Sequence, residues 1–462
     1  MAGLIHTLRS GAWLTVERMR LVGALLIAAA LIGAVFLVAT SDGRNDRFGR
    51  PLGTDFSNVY AAGTYVLEGK AAAPFDPARQ YAREQAIFGT GTPFYGWHYP
   101  PFFLGLAALL ALMPYGLALA LWQGVTLVLY LWAIRAILTA PSWPGLSRPS
   151  TSSFEASKQD VDARHKAGHD GGEAPPPGQL RWPPSPASGG GIKQLWLLLA
   201  LAFPAVFINL GHGHNGFLTA ALFAAGLAQL DRRPWLAGIL FGCLAYKPQF
   251  GVLIPLALAA GGYWRAFAAA AVTVALLALA VTLAFGVDVW TAFLASTKFT
   301  RTIVLEQGET GWQKIQSVFS VVRMWGGGIA LAYAAQIALM LALACALIWL
   351  WRSSAAYPLK AGSLLIGSLL ATPYCLDYDL MVLAPAIAYL SVDGIARGFS
   401  PYEKTILAAL WIVPLIARSI PQATLIPLAV PMMLLAMIFM LRRVMNECGP
   451  PRLWNLATRP LE

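Results

Sequence analysis

The chain reads as an all-α polytopic membrane protein, and three observations carry that reading. Hydrophobic residues make up 57% of its 462 positions against 12% charged, and the mean hydropathy is +0.60, outside the balance of soluble domains. Apolar runs of helical length recur from Leu21 to Leu441 with short polar breaks between them. Lys and Arg stand beside these runs and form no dense stripe, so the formal charge of +11 fits the flanks of membrane helices, and no nucleic-acid partner is expected. Cys243, Cys345, Cys375 and Cys448 are far apart and show neither CxxC nor Cys/His spacing, so no metal and no cofactor is expected.

Arg9, Arg18 and Arg20 precede the first run, Leu21 to Ala39, which is about the ~20 residues that cross a bilayer. It is too long for the core of a cleaved signal and is expected to be an uncleaved helix with a cytoplasmic N-terminus. The polar loop 41–99 then faces the exterior. Phe56 to Glu68 and Pro77 to Phe88 are expected as short surface helices, the second capped by Asp76, and Trp97-His98-Tyr99-Pro100-Pro101 leads into the next apolar run. Residues 1–139 thus hold the first helices and the external loop.

Residues 140–193 change abruptly to Pro, Ser, Gly and mixed charge, a composition that does not support a packed core and is expected to be a disordered insertion. Residues 194–441 resume the apolar runs, interrupted by a second external loop at 286–328, and 442–462 form a cytoplasmic tail. In all, about twelve passes are expected, several of them shorter than a simple span. Arg135 and Asp231-Arg232-Arg233 fall on the wrong side of that count, which a broken or re-entrant helix near Pro100 or Gly211 repairs.

Four polar groups interrupt the apolar runs, and polar residues at membrane depth are functional candidates. His212-Gly213-His214-Asn215 is a glycine-flanked turn without a visible third metal ligand. Lys247-Pro248-Gln249 sits in mid-run, where a lysine needs either an anionic ligand or an Asp or Glu from another helix. Tyr374, Asp377 and Asp379 mark a helix break whose carboxylates suit sugar hydroxyls or a pairing with Lys247. Lys298, Arg301, Glu306, Glu309, Trp312, Gln313 and Lys314 lie in the second loop. Asp55 stands in the first loop either as a catalytic carboxylate or as a cap for the helix beginning at Phe56. Signatures of soluble nucleotide-binding, hydrolase and zinc-protease sites are absent.

With Gly53-Thr54-Asp55-Phe56, Tyr99-Pro100-Pro101, Asn215 in its glycine turn, Lys247-Pro248-Gln249 and Pro373-Tyr374 followed by Asp377-Tyr378-Asp379, the chain resembles glycosyltransferase family 87 in the family's order. The resemblance implies a GT-C-like bundle in the inner membrane. It also implies inverting transfer of a hexose, mannose in the nearest reading, from a polyprenyl-phosphate-sugar to a lipid or glycan acceptor on the external face. Asp55 would be the general base. Lys247, Gln249 and Arg301 would meet the donor phosphate, and His98, Tyr99, His214, Asn215, Tyr374, Asp377 and Asp379 the substrates. A transporter or flippase of lipid-linked sugars is the alternative from another class.

Overall fold

The computed structural model describes residues 2–139 and 191–449; the expected insertion lies, up to residue 190, outside them. The described residues form helices and three isolated bridges, with no strand among them. The first part holds α1 (Ala2–Ser10), α2 (Val16–Ala39), α3 (Thr54–Leu67), α4 (Pro77–Phe88), α5 (Leu104–Ala111) and α6 (Tyr115–Leu138). The middle holds α7 (Gly191–Leu201), α8 (Pro204–His212), α9 (Gly216–Gln229), α10 (Pro234–Cys243), α11 (Leu253–Ala260), α12 (Trp264–Phe285) and α13 (Asp288–Phe299). Then follow α14 (Val318–Met324), α15 (Ile329–Arg352), α16 (Tyr357–Ala371), α17 (Leu383–Arg397), α18 (Glu403–Ile416), α19 (Ser419–Thr424) and α20 (Ala429–Cys448). The last helix continues past Leu441, so the start of the expected tail is helical.

Six helices among the described residues are long and apolar enough to cross a membrane: α2, α6, α12, α15, the stretch Asp377–Arg397 and α20. Leu195–Leu201 and α8 would together make a seventh, bent by 45°. The bend has a local cause, because Pro204 opens α8 and forces Phe203 before it out of the helical region, to φ −59° and ψ 122°. The remaining apolar runs are shorter helices. The apolar run that holds Lys247, Trp235 to Ala260, is divided into α10 and α11 by two 3₁₀ turns around that lysine.

In the first loop both expected helices form, but α3 is no surface helix: most of its residues, from Phe56 to Tyr65, are buried where it packs against α5. Asp76 accepts from the Ala78 and Arg79 amides and so caps α4. Glu84 on α4 is fully buried and accepts from the Tyr95 and Gly96 amides at 3.0 Å each, which fixes the stretch leading to Tyr99. Burial pushes its pKa up to about 7.

At the other end, Asp393 is fully buried and receives Arg397 at 2.6 Å and Arg443 at 2.9 Å. Arg443 also meets Glu403 at 2.7 Å, so α17, α18 and α20 are tied together by charges that satisfy one another.

The first loop is anchored where α3 crosses α5. Gly63 makes this crossing possible, since a Cβ there would overlap the Ala107 carbonyl group. Gly63→Ala is expected to lower stability by at least the ~1–3 kcal/mol of an overpacked contact, because backbone on the facing helix has to move. Gly105→Ala, where a Cβ meets nothing within 4 Å, is the control. Thermal melts in detergent should show a reduced Tm for the first variant and an unchanged or slightly raised one for the second.

Candidate active site

Two glycines bring distant segments together. Gly53 (φ +65°) begins α3 and Gly213 (φ +64°) ends α8, and both sit in the left-handed region. Their backbones are so close that a Cβ on Gly213 would lie 2.6 Å from Phe56 Cβ, so conformation and space both demand glycine. The approach sets Thr54 and Asp55 beside His212. Thr54 Oγ1 lies 2.8 Å from His212 Nδ1, and Asp55 Oδ2 lies 3.8 Å from the same nitrogen. Gly53 is the N-cap of α3, and its carbonyl accepts from the Phe56 amide at 2.7 Å. The Asp55 carboxylate therefore does not cap the helix, and its side chain keeps 23% of its surface exposed.

The glycine turn also meets the break before α17. The Tyr99 hydroxyl lies 3.1 Å from His214 Nε2, and the His214 ring stacks on Tyr378 with centroids 3.4 Å apart. Asn209 joins the pieces: its amide donates to the Tyr378 carbonyl at 3.0 Å, while its Oδ1 accepts from the Gly216 amide at 3.0 Å. Trp122 and Gln123 of α6 hold the same turn through the Gly213 and Asn209 carbonyls. Asn215 is buried with neither side-chain polar atom hydrogen-bonded, and His214 Nδ1 is likewise unpaired. Buried polar atoms are rarely left so.

Lys247 has a protein partner. Its Nζ donates to Asp379 Oδ1 at 2.5 Å, with the two side chains 4% and 1% exposed, and Asp379 Oδ2 accepts from the Leu376 amide. The ammonium also lies 5.3 Å from the Tyr378 ring. Gln249 is half-buried in the same break. Asp377 accepts from the Tyr378 amide, and the charges of His212, Arg418 and Asp55 act on it.

Desolvation raises the Asp55 pKa above the ordinary carboxylate range, opposed by the positive fields of His212, Lys314, Lys247 and Arg418. The Asp55 charge also reaches Tyr374. The structure thus gathers Asp55, Tyr99, His214, Asn215, Lys247, Tyr374, Asp377 and Asp379 from five separate stretches of sequence. His98 and Arg301 are directed elsewhere. His98 pairs with Thr300 at 2.9 Å beside Trp97 and Phe299, and burial pushes its pKa down to about 4. Arg301 is 58% exposed and faces Glu306 at 3.5 Å.

Asn209 as the joint and Arg418 at the rim were not read from the sequence as site members, and His212, read only as part of the glycine turn, stands beside Asp55. Asn209 had a signal, an amide inside an apolar run. Arg418 had none, since a lone Arg after an apolar run looks like a positive flank. No group of three or more His, Cys, Asp or Glu that could hold a metal ion occurs among the described residues.

A family model described as glycosyltransferase family 87 matches residues 97–373, more than half of the chain. A stretch of 32 residues is 69% identical to part of the error-prone DNA polymerase of Rhodopseudomonas palustris strain BisA53, and one of the same length and identity matches that of strain HaA2. Each stretch is 7% of this chain and 3% of the polymerase's length, a share that transfers no activity between the proteins. No solved structure matches the chain.

Removing either half of a buried ion pair strands the other, at a cost of ~3–5 kcal/mol, whereas replacing both with apolar groups can be neutral. Lys247→Met and Asp379→Leu are therefore each expected to reduce folded yield and Tm sharply. The double variant should recover most of the loss. Size-exclusion profiles and melts of the three proteins check it.

Proposed function

The chain belongs to glycosyltransferase family 87 and is a membrane glycosyltransferase, and from that premise we propose inverting transfer of a hexose from a polyprenyl-phosphate-sugar, with Asp55 as general base. The sugar in this reading is mannose and the acceptor a lipid or glycan hydroxyl on the external face of the inner membrane. The observation that carries it is the convergence on one partly exposed carboxylate, Asp55, of Lys247, Lys314 and Arg418 from three separate segments, with His212 beside it.

The chemistry needs few groups. The acceptor oxygen attacks the anomeric carbon as its proton passes to the Asp55 carboxylate, and the bond from that carbon to the phosphate oxygen breaks with its electron pair leaving on phosphate. A phosphate is already a good leaving group, so positive charge replaces the general acid that a glycosidase requires. Lys247, paired with Asp379, holds the two helix breaks of the site together. Asn215 and His214 Nδ1, buried and unpaired, suit the vicinal hydroxyls of a sugar, whose arrival would satisfy them. Tyr99, Tyr378 and Tyr374 offer ring faces and hydroxyls at the same place.

Asp55→Asn tests the base. Asn keeps the shape and removes the basicity, and because Gly53 rather than Asp55 caps α3, folding should be little affected. Turnover should fall by ~10²–10⁴-fold, in kcat rather than in donor KM. In the wild type, activity should fall as pH drops through a pKa above the ordinary Asp range, because only the ionised carboxylate accepts the proton and desolvation raises that pKa. Near-normal turnover in a folded Asn variant would remove Asp55 from the chemistry.

A further inference from the structure

One buried side chain fixes the geometry of the site's rim. Gln316 is 3% exposed; its backbone amide donates to the Cys375 carbonyl at 2.6 Å and its side-chain amide to the Ala417 carbonyl at 3.3 Å. Ile315 and Leu376 form an isolated bridge beside it. This clamp holds the 3₁₀ turn Trp312–Lys314 against the break before α17 and against the joint between α18 and α19. Lys314 ends that turn and Arg418 follows Ala417, so two cations far apart in sequence are set at the same rim, both half-buried.

Their pairing state sets them apart. Lys247, Arg301, Arg397 and Arg443 each have a carboxylate partner, whereas among the described residues Lys314 and Arg418 have none. They act on one another and on Asp55 and Asp377 without forming an ion pair, and desolvation followed by the Arg418 charge lowers the Lys314 pKa. Two partly desolvated like charges are unfavourable alone and favourable around an anion.

We infer that Lys314 and Arg418 are the cations that receive the donor's phosphate, in place of Lys247, which Asp379 already neutralises. The inference rests on the transfer reading above and names the phosphate subsite within it. During transfer the donor's phosphodiester, with one negative charge, becomes a phosphomonoester with up to two, and the bond electrons of the anomeric C–O bond end on the oxygen nearest these cations. Charge that grows in the transition state is what such a pair stabilises best. Arg418 offers a planar fork for two phosphate oxygens, and Lys314 a point charge.

The test uses the full-length protein in detergent, with farnesyl phosphate, farnesol and inorganic phosphate as probes and Lys314→Gln, Arg418→Gln and the exposed-surface control Arg79→Gln as variants. Wild type and Arg79→Gln should bind farnesyl phosphate, the two site variants should bind it at least 10-fold more weakly, and farnesol should not distinguish the four. Farnesyl phosphate binding far better than inorganic phosphate assigns the subsite to a lipid phosphate, and equal binding assigns it to free phosphate. Because both cations lower the Asp55 pKa, each variant should also move the acid limb of kcat/KM to higher pH. Variants with wild-type Tm, unchanged farnesyl phosphate affinity and an unmoved acid limb would overturn the subsite while leaving the transferase reading intact. Charge-dependent binding without transfer of any sugar would do the reverse.

Discussion

The ion pair between Lys247 and Asp379 is the constraint on which the site depends. Each charge lies in a stretch where an apolar run is broken, and neither could be left there alone. Their attraction fixes the break between α10 and α11 against the one before α17. Broken helices expose backbone groups that must be satisfied inside the protein, and Asn209 does so by binding the Tyr378 carbonyl and the Gly216 amide. The close approach of Gly53 and Gly213 then adds the first loop, with Asp55, to this frame.

The two charge clusters of the molecule differ in how far they are satisfied. Around Asp393 every guanidinium meets a carboxylate, and the result is a tie between helices. Around Asp55 the charges are close enough to act on one another, yet Lys314 and Arg418 remain unpaired among the described residues. A cluster that is complete by itself holds a fold together. One whose cations lack a carboxylate partner, beside a desolvated carboxylate, is arranged for a ligand.

Much of this was legible in the chain. Apolar runs and flanking charges declared the membrane helices, and Asp76 before Pro77 declared the second surface helix, because those signals are local. The candidate residues Asn215, Lys247, Asp377 and Asp379 could be picked out as polar groups where polarity is costly, and Asp55 by its place in the polar first loop and in Gly53-Thr54-Asp55-Phe56. What the sequence could not show was partnership. Lys247 admitted an anionic ligand or an acid from another helix, and only the fold supplied Asp379 as its neighbour. Arg301 reads as a loop cation and Arg418 as the positive flank of an apolar run; the turn around Thr300–Glu306 directs the first to Glu306, and the Gln316 clamp sets the second at the rim. The number of passes was read from run composition, but proline and 3₁₀ turns divide the runs into shorter helices whose lengths hydropathy does not report.

The central claim is that this site breaks and makes a glycosidic bond, and the most direct measurement is a reconstitution. Purified protein in sealed vesicles would be given a radiolabelled polyprenyl-phosphate hexose and a membrane glycolipid acceptor, and both the products and the sidedness of the label would be followed. The account predicts label in a new glycoside of inverted anomeric configuration, with free polyprenyl phosphate released in equal amount. Label that crosses the vesicle membrane with its sugar–phosphate bond intact, and no glycoside formed, would contradict it.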